Sequence, residues 1–137
     1  MLMLFSISTI HAQNKIAIGY AFKYLDGECG QFTTAVGYRY DTSTGDATSM
    51  GVLRKNVSDD LVEKFSVNSN NIQLWADQKD FGCIISYQKK VSGWNCTTFN
   101  YAVGFGDTQY EAEQNAIKQM RTNYNGSEYK VETYINR

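Results

Sequence analysis

The chain has 137 residues, 42% hydrophobic and 20% charged, with 13 Lys+Arg against 14 Asp+Glu, three Cys, 11 Gly and no Pro. That describes one soluble globular domain with too little net charge to draw a polyanion, and no stretch nears the roughly 18 apolar residues that span a bilayer. His11 is the one histidine, which leaves little for acid/base chemistry near neutral pH or for most metal sites.

Met1 to Ile10 carry no charge and lead into His11-Ala12-Gln13. This pattern predicts the apolar part of a secretory signal over 1–12, cleaved after Ala12, with the basic start lying upstream of Met1 or the true start codon internal. Cleavage there removes the only imidazole and excludes Ser-His, Cys-His and His-metal constellations from the mature domain 13–137. Ile16, Ile18, Tyr20 and Phe22 then alternate with Ala17, Gly19 and Ala21, as do Phe32, Val36 and Tyr38 with Ala35 and Gly37. Both are the period-two signature of half-buried strands.

Ser43 to Asn56 reads as a weak helix, because Gly45 and Gly51 each cost about 1 kcal/mol relative to Ala. Ser58-Asp59-Asp60 reads as the start of a second helix leading to Leu61, Val62 and Phe65. After a strand at Ile72–Trp75, another alternation runs through Phe99, Tyr101, Val103 and Phe105. Thr108 and Glu111 have capping-box spacing, and Ala112, Ala116, Ile117, Met120 and Tyr124 follow as one apolar helical stripe. Asn125-Gly126 ends that helix, and Tyr129 to Ile135 forms the last strand.

A shift of 67 residues lays Cys29-x-x-Phe32-x-x-Ala35-Val36-Gly37-Tyr38 on Cys96-x-x-Phe99-x-x-Ala102-Val103-Gly104-Phe105, with 10 identities over the 41 positions from Ile16 to Asn56. The same shift pairs Tyr20 with Tyr87 and Ile18 with Ile85. Past Asn56 the shift becomes 59, placing an 8-residue insertion within Val57 to Asn68 of the first copy. Fixed-period similarity marks repeated supersecondary units, here 16–78 and 83–137. The expected fold is α+β: two pseudo-symmetric ββαβ repeats forming one mostly antiparallel sheet of about six strands with two main helices on one face. The small residues Ala17, Gly19, Ala35, Gly37, Ala102 and Gly104 point away from the aromatic row. Helices on the small face would leave the aromatics uncovered.

Three cysteines in an exported chain suggest one bridge and one remaining thiol. Cys29 and Cys96 occupy matching places in the two copies and are the expected pair, stapling the repeats. Cys83 falls on a core position and reads as a buried small hydrophobe without a base to activate it. Tyr20, Phe22, Phe32, Tyr38, Tyr87, Phe99, Tyr101 and Phe105 read as core. The functional alternative is an exposed aromatic platform, with Tyr20, Tyr87, Tyr101 and Phe105 as candidate binding residues and Trp94, in the loop Ser92-Gly93-Trp94-Asn95, as an interface anchor. Asp59-Asp60 and Glu111/Glu113 sit at helix starts, where the macrodipole accounts for acidic residues. Asn56-Val57-Ser58, Asn95-Cys96-Thr97 and Asn125-Gly126-Ser127 fit the glycosylation pattern, and in a bacterial chain are turn residues.

Gly104-Phe105-Gly106-Asp107-Thr108-Gln109-Tyr110-Glu111-Ala112-Glu113, with the tandem arrangement, resembles the exported bacterial family called domain of unknown function 4189. The family's cysteines at the helix end and last strand have no counterpart here. The resemblance implies export and a small binding-type domain, and carries no catalytic residue. The same Gly-x-Gly before an Ala-Glu helix is also seen in double-stranded RNA-binding domains, whose lysines at the helix start grip phosphate. Here Gln109, Tyr110, Glu111 and Glu113 occupy that turn, and its acidity repels phosphate.

Together these features lead to an exported, non-enzymatic binding or accessory protein, secreted or periplasmic. It needs no cofactor or metal, has no nucleic-acid partner and no membrane span, and contacts an unknown protein or a cell-envelope component. The alternatives are a small envelope hydrolase or inhibitor-like factor using carboxylates, and an RNA-binding module.

Overall fold

A computed structural model describes residues 14–91, 93 and 95–136. The signal segment 1–12 and Trp94 therefore lie outside the described residues. The elements run β1 (Lys15–Tyr24), a 3-10 turn (Gly27–Cys29), β2 (Thr33–Ser43), α1 (Met50–Phe65), β3 (Ile72–Asp77), β4 (Phe81–Val91), β5 (Cys96–Gly106), α2 (Gln109–Arg121) and β6 (Lys130–Asn136). This is an α+β chain of two ββαβ units.

The expectation of one six-stranded sheet is corrected. The strands divide into two three-stranded antiparallel sheets, ordered β2-β1-β3 and β5-β4-β6. Each sheet carries its own helix on one face. Leu53, Val57 and Leu61 of α1 close over Ala17 and Ala21, and Ala112, Ala116, Ile117 and Met120 of α2 close over Cys83, Ile85 and Ala102. The other faces meet through Ile16, Ile18, Ile84, Val103 and Ile135, flanked by Tyr38, Trp75, Tyr101 and Phe105. The helices thus take the small-residue face, and the aromatic row is covered by the opposite sheet, giving four layers.

Small residues decide how near each helix can come. A Cβ on Gly37 would run into the ring of Phe65, and one on Gly104 into the α2 backbone at Ala112 and Ala116. The two sheets cross, because β2 touches β5 at its start and β6 further on. Thr34 Oγ1 accepts from the Phe99 amide at 2.9 Å, and Tyr38 shares a 2.6 Å hydrogen bond with Thr133.

The repeat register holds for β2 and β5, where Gly37 and Gly104 both lie under a helix, and Tyr38 and Phe105 both lie between the sheets. It inverts for β1 and β4. Ile18 faces the other sheet while Ile85 faces α2. The cause is a β-bulge in the first copy, where the β1–β2 pairing shifts by one residue between Ala21 and Phe22, while the β4–β5 pairing runs without a shift. A one-residue change of register turns every side chain to the opposite face.

The first-copy helix also differs from expectation. β2 continues to Ser43, Gly45 takes a positive φ of 64° in the turn, and Ser49 caps the helix by accepting from the Val52 amide at 3.2 Å. From there one helix runs straight through Ser58-Asp59-Asp60 and no second helix starts. The expected insertion within Val57 to Asn68 is corrected, because 12 positions separate Gly37 from the Ser49 cap and 4 separate Gly104 from the Thr108 cap, which places the 8 extra residues ahead of α1. Leu53, Val57 and Leu61 recur every fourth residue on its buried stripe. In α2 the Thr108 half of the capping box forms as read, Thr108 Oγ1 accepting from the Glu111 amide, whereas Glu111 Oε2 accepts from the Asp107 amide, one residue ahead of the cap.

Candidate ligand groove

The expected binding residues do not form one surface. Tyr20 and Tyr101 stand half-buried between the sheets with ring centroids 5.7 Å apart, Tyr20 also packing on Trp75 at 5.6 Å and Tyr101 on Phe99 at 5.1 Å. Burial pushes the Tyr20 phenol upward, with Tyr87 adding to it. Burial, then Glu132, then Tyr38 push Tyr101 up to about 12. These rings serve the inter-sheet core, as the strand alternation suggests, and not the alternative platform. Phe105 lies beside Trp75 in a shallow cleft of about 360 Å³ edged by Asn115 and Lys118.

Tyr87 stands apart. The reversed register of β4 turns it toward α2, where its ring stacks on Tyr124 at 5.1 Å and 24°. Its hydroxyl accepts from Asn123 Nδ2 at 2.9 Å, and Asn123 Oδ1 accepts from Lys89 Nζ at 3.0 Å. Burial raises the Tyr87 phenol, and the Asn123 hydrogen bond opposes that rise.

Tyr87 forms the floor of a groove between β4 and the segment 123–130. One end, about 300 Å³, is walled by Tyr87, Phe99, Tyr124 and Tyr129. The adjoining end, about 600 Å³, is polar, with Lys89, Lys90, Asn123 and Asn125. Gln88, Tyr124 and Glu128 belong to both ends. The far wall exists because the chain leaving α2 folds back tightly. A Cβ on Gly126 would collide with the Tyr124 ring. The side chains of Gln88, Lys90, Asn125, Glu128 and Lys130 make no hydrogen bond or ion pair with other described residues. An aromatic floor beneath uncommitted polar groups is the composition of a binding groove.

The other constellations resolve into local structure. Lys55 pairs with Asp59 at 2.6 Å and Arg39 with Asp60 at 3.3 Å, so the two aspartates have different partners. Glu111 is spent on the cap, whereas Glu113 accepts from Tyr129 and Tyr134. The hydrogen bond to Glu113, ahead of burial, pushes Tyr134 up to about 12. Cys83 is fully buried, and burial, then Glu113, push its thiol up to about 12. Cys29 and Cys96 stand at disulfide distance with Cα atoms 5.9 Å apart, joining the β1–β2 turn to the first residue of β5. Among the described residues no group of three His, Cys, Asp or Glu is placed to hold a metal, and no helix is long and apolar enough to cross a membrane.

Sequence reasoning named Tyr87 but missed Asn123, Lys89, Lys90, Glu128 and Lys130, and placed Tyr124 on the helix stripe and Phe99 in the core. The available signal was the turn Asn125-Gly126 flanked by Tyr124 and Tyr129, which marks a tight fold-back with an aromatic on either side. Comparison of the chain with family models, curated proteins and solved structures gives no match.

Proposed function

We propose that the chain is an exported, non-enzymatic accessory protein that binds another protein or a cell-envelope component through the groove between β4 and the 123–130 segment. The observation that carries this reading is the groove's make-up, an aromatic floor and wall at Tyr87, Phe99, Tyr124 and Tyr129 beside the polar side chains of Gln88, Lys90, Asn125, Glu128 and Lys130, which no other described residue engages.

Export, to the periplasm or beyond the cell, is supported by the uncharged stretch Met1–Ile10. It is also supported by Cys29 and Cys96 at disulfide distance, since such bonds persist in oxidising compartments. The resemblance to the exported domain of unknown function 4189 family points the same way.

A binding role fits the chemistry better than a catalytic one. A thiolate is the form of cysteine that attacks, and a thiol held near 12 inside the core, as in Cys83, is seldom in that form. Carboxylate hydrolysis uses two carboxyl groups facing one substrate, whereas Glu111 and Glu113 serve separate local partners. No cofactor enters this reading.

Cell fractionation tests it. Expressed from its native gene, with any residues encoded upstream of Met1 retained, the chain should be recovered outside the cytoplasm, cleaved after Ala12, and should sediment with the envelope fraction. Tyr124→Ala should be exported equally and released from that fraction. Uncleaved cytoplasmic protein would overturn export, and equal retention of the variant would overturn the groove as the contact surface.

A further inference from the structure

The groove runs along an unfinished sheet edge. β4 extends to Val91, yet β6 pairs with it only as far as Ser86, opposite Lys130. Beyond that point the chain preceding β6 swings away from β4 to form the far wall of the groove. On its β5 side β4 is paired along its whole length, from Phe81 opposite Gly106 to Val91 opposite Cys96. On the β6 side, Tyr87–Val91 have no strand partner among the described residues, and no backbone hydrogen bond from another segment reaches them there. An exposed strand edge is a ready template for another chain. Natural sheets blunt such edges with lysine, and Lys89 and Lys90 stand on this one. Like charge on the edge discourages a second copy of the same lysine-bearing edge and favours an acidic segment.

We infer that the groove takes an extended, acidic polypeptide segment, which adds as a strand to the β6-side edge of β4 at Tyr87–Val91. The inference deepens the binding role proposed above and rests on it. Backbone hydrogen bonds supply the affinity in this mode and alternate side chains the specificity. Strand geometry sends successive side chains to opposite faces. Acidic side chains on one face then meet Lys90 and Lys130, against which the groove sets one carboxylate, Glu128, while Lys89 lies on the other face of β4 with Tyr87. Apolar side chains meet Tyr124 and Tyr129. The lining polar groups are compatible with other amphipathic ligands, but only a polypeptide makes use of the bare backbone edge.

The test uses the whole chain with oxidised Cys29 and Cys96 and a capped peptide of about ten residues alternating Val and Glu, long enough to cover the free edge at about 3.4 Å per residue. Titration should shift the amide signals of Gln88 to Val91 and protect from hydrogen exchange the alternate amides among them that face the β6 side. Two changes should abolish or weaken binding. Methylating alternate backbone nitrogens of the peptide should remove it, and the double variant Lys90→Glu, Lys130→Glu should bind about tenfold more weakly. Absence of binding, equal binding of the N-methylated peptide, or equal binding of a Val-Lys peptide would each overturn strand addition by an acidic segment. Envelope retention that still depends on Tyr124 would then leave the groove as a binding surface for a different ligand. Loss of retention by the wild-type chain itself would instead remove the reading on which the inference rests.

Discussion

Gly104 lies so close beneath Ala116 that a Cβ added to it would meet the Ala116 backbone nitrogen. The contact is with main chain, so no rotamer change can relieve it, and α2 would have to lift from the β4–β5 hairpin. Gly104→Ala should therefore destabilise the protein by about 3 kcal/mol, at the upper end of overpacking costs. Urea denaturation measures this, and a loss below about 1 kcal/mol would mean that α2 does not sit where its stripe is described.

The Tyr101 phenol gives a second prediction. Its folded-state value of about 12 lies above the ordinary 10.0, so the folded protein holds that proton more tightly than the unfolded chain. The contribution is complete below pH about 10 and is lost as the pH rises toward about 12. The urea midpoint of the wild-type chain should fall across that window, and that of Tyr101→Phe should fall less. Parallel curves would show that the phenol is not desolvated between the sheets.

Much of this arrangement was legible in the sequence, and the parts that were not share a physical origin. Strand alternation, the Thr108 helix cap and the Ala112–Met120 stripe are local signals, and each reappears at its expected place. Which face of a strand meets which partner is not local. The aromatic row at Tyr20, Tyr38 and Tyr101 could be covered by a helix or by a second sheet, and the alternation pattern is identical in both cases. The β1/β4 inversion was hidden because identities at a fixed shift do not show a one-residue bulge such as the one between Ala21 and Phe22. The groove was least visible of all. Its walls come from a strand that outruns its neighbour and from a loop, and neither leaves a periodic trace.

The cysteines yield a third prediction with two readouts. Non-reducing peptide mapping should link Cys29 to Cys96, and alkylation of the native protein should leave Cys83 unmodified, because its thiol is buried and raised to about 12. Closing a loop of 67 residues' separation constrains the unfolded chain, and in the chain-entropy view is worth up to about 4 kcal/mol. Reduction, or Cys29→Ser with Cys96→Ser, should lower the unfolding free energy by up to that amount while leaving Cys83 protected until the protein unfolds. A Cys83-containing bridge would contradict the described core.

Asn123 tests the groove's construction independently of any ligand. Its amide donates to the buried Tyr87 at 2.9 Å and accepts from Lys89 at 3.0 Å, tying the segment after α2 to β4. Asn123→Ala leaves the Tyr87 hydroxyl without that donor, and losing a partner in a largely buried site costs about 1 to 3 kcal/mol. It also removes the hydrogen bond that holds down the Tyr87 phenol, so that group should ionise at higher pH than in the wild type. Spectrophotometric titration of the phenols, with Tyr87→Phe to identify the group, reads the shift, and urea denaturation reads the stability. A variant with unchanged stability and an unchanged Tyr87 titration would mean that the 123–130 segment is not anchored to β4 through Asn123, and the groove would lose the link that fixes its width.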